Sequence, residues 1–204
     1  MKRSRIGWAS FAAVAAALAA IAFAGIAAGG GQNLKVRWDI VNVTGGGTAA
    51  GGSATALAND SSKIVLTGSG TFHSSSPGTP HHVTGGGTWQ TFSAAGTPTG
   101  RGTYTVVKGV HFIKAPGALP ARFPDLIGTA ADRSAGLVHL RIAYSDGSEG
   151  VLIVSCRLGG TPRAVFEGIN ASKGFVDYTH NLEPVDGVEG NRTLFHVTHE
   201  EDDD

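Results

Sequence analysis

The chain has 204 residues, 16 basic and 16 acidic side chains, a formal net charge of zero and 41% hydrophobic residues. That length suits one domain around one core, and the charge balance supplies no basic footprint for nucleic acid. With 31 glycines and one cysteine, the composition favours strands and tight turns and excludes an internal disulfide.

Lys2, Arg3 and Arg5 open the chain without an acid beside them, and an apolar run follows from Ile6 to Ala28. A basic start, an apolar centre and the small-x-small triplet Ala22-Phe23-Ala24 are the marks of an export signal. Residues 1–28 are therefore read as a signal peptide, cleaved after Ala24 or Ala28. The run is also long enough to cross a bilayer, so an uncleaved, helical N-terminal membrane anchor is the alternative. Either reading predicts a secreted or extracytoplasmic protein. Without the leader, 13 basic residues face 16 acidic ones, a net charge of −3. Residues 29–198 are expected to form a single Gly-rich antiparallel β domain, and residues 199–204 an acidic, disordered tail.

Past Gly29, alternation and β-branched residues recur between Gly, Pro and Asn-Asp punctuation, while helical periodicity is absent. In chain order the pattern predicts strands at Leu34–Val43, Ser53–Ala58, Lys63–Phe72, Val83–Phe92 and Gly100–Ile113. It predicts five more at Gly136–Tyr144, Gly150–Leu158, Ala164–Ile169, Gly174–Tyr178 and Thr193–Val197. The fold class expected is all-β, an antiparallel barrel or barrel-like sandwich. The glycines of Gly68-Ser69-Gly70 and Gly100-Arg101-Gly102 alternate within strands, which frees one face for sharp bending or close backbone approach. Val43 to Thr48 repeats letter for letter at Val83 to Thr88, which two readings fit: duplication, or shared strand chemistry.

The sharpest local signal is Asp146-Gly147 between two alternating apolar runs, a two-residue hairpin turn. Pairing Ser145 with Ser148 sets Ile142 opposite Val151 and Leu140 opposite Ile153. The other face then carries Arg141 beside Leu152 and His139 beside Val154. Such a mixed polar and apolar face suits the inside of a ligand-holding barrel, and equally a partly solvated sandwich. Between the strands ending near Ile113 and beginning near Gly136, the stretch Ala115–Ala135 with three prolines reads as a lid or binding loop, or as a strap across one barrel end.

Several residues are candidates for chemistry. His139 and Cys156 are expected on one hairpin face, where a thiol beside an imidazole is a nucleophile pattern; inert packing of a buried cysteine is the other reading. His73, His81 and His82 flank one loop and are candidate zinc or copper ligands, although no local acid or thiol completes a site. Trp89 is expected opposite Arg101. The candidate ligand-binding residues are Trp89, Tyr104, His139 and Arg141. No Gly-x-Ser-x-Gly, His-Glu-x-x-His, paired-cysteine or dinucleotide motif occurs, and no cofactor is expected.

Four motifs carry a resemblance: Gly85-Gly86-Gly87-Thr88-Trp89; Arg141 to Ser148; Phe166-Glu167-Gly168-Ile169 with Ala171-Ser172-Lys173-Gly174-Phe175; and Asn191-Arg192-Thr193-Leu194-Phe195-His196. From Thr84 to Val197 the chain resembles an uncharacterised family of exported bacterial Gly-rich β-domain proteins. That resemblance brings no activity and no catalytic residues. In architecture alone the chain is similar to lipocalin, allene oxide cyclase and dirigent barrels. The function expected is binding of a small apolar or amphipathic ligand by a barrel. The alternatives are a cofactor-independent isomerase or cyclase, and a cell-surface interaction module.

Overall fold

A computed structural model describes residues 33–44, 46–120, 123–184 and 190–199. The expected leader 1–28 and residues 200–204 of the expected tail lie outside these. In chain order the strands are β1 (Leu34–Thr44), β2 (Gly47–Ala50), β3 (Ala54–Leu57), β4 (Lys63–Leu66), β5 (Ser69–Ser74), β6 (Gly86–Phe92) and β7 (Pro98–Ala115). They continue with β8 (Arg133–Tyr144), β9 (Glu149–Cys156), β10 (Gly168–Lys173), β11 (Val176–Tyr178), β12 (His180–Asn181) and β13 (Arg192–His199). The sole helical element among the described residues is a 3-10 turn at Ala130–Asp132.

Six strands close an antiparallel barrel in the order β1, β5, β6, β7, β8, β13 and back to β1. Its bore is filled. Strand alternation points Val36, Trp38 and Ile40 inward from β1, where they meet Phe72, Phe112 and Phe195, all fully buried. The Phe72 and Phe112 rings meet edge to face at 5.1 Å, and Phe112 lies 5.8 Å from Phe195.

Two strands change partners part-way, and the sheet forks there. Strand β8 pairs with β13 at Arg133–Ser134 and with β9 from Gly136 to Ala143. On the opposite wall, β4 and β5 form one lane along β6, but β4 turns its other edge to β3 and β5 turns its to β1. The single predicted strand Lys63–Phe72 is therefore broken at Thr67-Gly68. Tyr104 closes that break by donating its hydroxyl to Thr67 O at 2.9 Å. The two arms, β4-β3-β12 and β9-β10-β11, enclose a second part of the core containing Trp89, Tyr104, Tyr144, Leu152 and Ile169.

Two of the alternating glycines make room for tryptophan. Gly70 lies directly opposite Trp38, and a Cβ there would sit 2.7 Å from the indole nitrogen. Gly102 lies opposite Trp89, where a Cβ would come within 2.9 Å of the same atom. Each large ring thus covers a position with no side chain, which pins cross-strand register. The repeated hexapeptide serves two different structures: its first copy turns the β1–β2 hairpin, and its second leads into β6.

Three expectations need correction. The Asp146-Gly147 hairpin exists, but its loop has three residues, since Tyr144 and Ser148 close it (Tyr144 N to Ser148 O, 2.8 Å) with Gly147 at φ 85°. One extra loop residue slips every pair by one: Leu140 faces Leu152, Arg141 faces Val151 and His139 faces Ile153. Because side chains alternate with period two, the slip separates what the expected register had mixed. One face is wholly apolar and buried; the other carries His139 and Arg141 outward. The predicted strand Ala164–Ile169 starts four residues late, at Gly168, and β2 and β12 were not foreseen.

Candidate functional site

The expected ligand-binding set is split by this register. Trp89 and Tyr104 are buried in the second core compartment, the former 5.8 Å and the latter 6.3 Å from Tyr144. Their polar atoms are spent on backbone, Trp89 Nε1 donating to Thr103 O at 3.1 Å. Arg101 pairs with Gln90 rather than Trp89; the cation over the indole is Lys173, 4.3 Å from its centroid. Arg141 is exposed and bonded to Glu149, and His139 faces His111 across the outer surface, ring centroids 6.5 Å apart. Burial, together with His111, lowers the His139 pKa.

The Cys156–His139 pairing fails for the same reason. Cys156 pairs with Gly136 on the inner face, whereas His139 points out. The thiol is fully buried, and burial pushes its pKa well up, the setting of a packing cysteine rather than an activated one. His73, His81 and His82 do gather, with centroids 5.2 to 5.8 Å apart. Their rings stack as tilted and edge contacts, and among the described residues no three His, Cys, Asp or Glu side chains are arranged to hold a metal.

The long connection between β7 and β8 builds a different site. It runs as a strap along the outer barrel wall, not across an end. Alternation on β1 that buries Val36, Trp38 and Ile40 in the bore turns Arg37, Asp39 and Val41 to the outer face, where Asp39 and Val41 are buried and Arg37 is partly exposed. Thr48 of β2 holds the strap's edge: its N donates to Pro124 O at 3.1 Å and its O accepts from Leu126 N at 2.9 Å. Arg133, its side chain 2% exposed, donates to Ala130 O at 3.0 Å, Phe123 O at 2.9 Å and Pro120 O at 3.4 Å. Asp125 bonds His196 Nε2 on β13 at 2.9 Å and accepts the amides of Ile127 and Gly128. Burial pushes the Asp125 carboxyl up, but these hydrogen bonds outweigh it and leave its pKa below the ordinary value.

Under the strap lies a pocket of about 350 Å³. Its apolar wall comes from Val41, Val43, Leu119, Phe123, Leu158 and Leu194, and its polar groups are Thr48, Arg157, Glu167, Arg192 and Thr193. Glu167, 5% exposed, accepts the backbone amides of Arg157 and Thr193, the latter at 2.7 Å. The Thr193 hydroxyl donates to Ser155 O at 2.6 Å and, more weakly, to Glu167 Oε1 at 3.3 Å. Burial raises the Glu167 pKa to about 7 against the lowering effect of the two amides, the Thr193 hydroxyl and the Arg192 charge. Arg157 bonds Glu183 at 2.6 Å across the surface.

Glu167, Arg157 and Arg192 were not among the expected site residues. A signal was present: Glu167 is a lone acid between Val165-Phe166 and Gly168-Ile169, and the resembling motifs Phe166–Ile169 and Asn191–His196 turn out to meet at its carboxyl. Comparisons with protein-family profiles, curated proteins and solved structures give no match to this chain.

Proposed function

We propose that the protein binds a small amphipathic molecule in the strap-covered pocket on the outer barrel wall, not in the bore. The observation that carries this reading is the pocket: about 350 Å³, walled by apolar side chains and holding a buried carboxyl with a pKa near 7. Ligand sites span roughly 300 to 1,000 Å³ and combine apolar walls with a few convergent polar groups, and strongly perturbed acids concentrate in such places. In this reading the leader expected over residues 1–28 delivers the domain across a membrane.

The test uses N-phenyl-1-naphthylamine, a neutral apolar fluorophore. One saturable site is expected with the full chain, lost in Val43→Trp, which fills the pocket from a half-buried wall position. Unchanged binding in a folded Val43→Trp protein rejects the pocket as the site.

A second reading, the cofactor-independent isomerase or cyclase, rests on the same carboxyl. An acid that exchanges its proton near neutrality is suited to general acid–base work. Any turnover found in a substrate screen should then vanish in Glu167→Gln while fluorophore binding persists.

A further inference from the structure

Two arginines and a saturated acid are among the residues that line this pocket. Arg157 and Arg192 both line it, while the carboxyl oxygens of Glu167 are already occupied by the backbone amides of Arg157 and Thr193. Glu167 is therefore a poor partner for an incoming cation, which would also meet two guanidinium groups. The Arg157 guanidinium carries five donors in a fork that matches a carboxylate, and its present partner Glu183 is replaceable: that side chain is 57% exposed, and exposed ion pairs contribute little. Leu119 and Phe123 of the strap and Leu158 add apolar surface to the same lining.

We infer that the ligand is an acidic amphiphile, whose carboxylate or equivalent anionic head lies on Arg157 and Arg192 and whose apolar body lies beneath the strap. This rests on the pocket being the binding site. An anionic head exchanges with Glu183 on Arg157 and gains charge-assisted hydrogen bonds in a partly desolvated setting. A neutral head of the same length loses those bonds and keeps only the apolar contribution. The groups facing Glu167 bear on the same balance: Arg157 just past β9, Arg192 on β13 and Cys156 on β9.

The experiment titrates the full chain at pH 6.5 with decanoate, decan-1-ol and decylammonium, each below its micelle concentration, by isothermal calorimetry. Decanoate is expected to bind at least tenfold more tightly than decan-1-ol, and decylammonium without saturation. Arg157→Gln/Arg192→Gln should bring decanoate down to the decan-1-ol level and leave decan-1-ol unchanged. The wild-type ranking requires no variant, so a misfolded double variant does not blunt the test. Equal binding of acid and alcohol, or tighter binding of the amine, overturns the acidic class while the pocket stands. Decanoate binding that the folded double variant keeps overturns the arginine assignment. If neither these probes nor the naphthylamine binds, the pocket reading falls with it.

Discussion

Protonation of Glu167 links the site to stability. Its folded-state pKa of about 7 stands above the ordinary value of 4.5, so between these two the native state holds a proton that the unfolded chain has released. Stability contributed by this group is complete below pH 4.5, falls as pH rises through 7 and is level above. For a buried group the shift corresponds to about 3 kcal/mol. Urea unfolding at pH 5 and pH 8 should show that loss in the wild type, and Glu167→Gln should remove it. The variant should also be less stable at pH 5, because its amide NH₂ would face one of the two backbone amides. A wild-type difference that survives in Glu167→Gln assigns the pH dependence elsewhere. Other residues were more legible. Trp89 stands out in the chain as a large ring beside a run of glycines, whereas Trp38 does not, and the glycine partners of both come from other strands and are not marked as such in sequence.

Among elements, the strap depends most on one side chain. Arg133 gathers three of its carbonyls and lies 3.8 Å from Asp125, whose side chain is equally buried. Removing one partner of a buried charged network leaves the rest unsatisfied, at a cost of roughly 3 to 5 kcal/mol. Arg133→Met should lose about that much in urea unfolding. Under native conditions thermolysin should cut it first at the strap, where Phe123 and Leu126 are exposed. First cleavage at another loop would remove Arg133 as the anchor. The strap's existence was readable from its prolines and length, but its path was not, because Arg133, Asp125, His196 and Thr48 carry no local mark of one another. The hairpin shows a similar limit: Asp146-Gly147 located the turn, and loop length decided which face His139 and Arg141 present.

For the whole molecule, the barrel bore is a packed core, and the pocket beneath the strap is outside it. Phe112 packs against both Phe72 and Phe195, so Phe112→Ala should cost about 3 to 5 kcal/mol. Naphthylamine affinity should stay within a factor of two wherever the variant is still folded. A loss of binding matching the loss of stability would instead place the ligand in the bore.

By itself the sequence determined what local chemistry dictates: an all-β domain, most of its strands and the turn at Gly147. Alternation and turn residues act over a few positions and leave their pattern in the chain. Tertiary structure alone decided closure through β1 and β13, the fork at β6 and β8, and the burial of Glu167. These depend on pairing between segments far apart in the chain, where a one-residue change in register exchanges the faces of a whole strand.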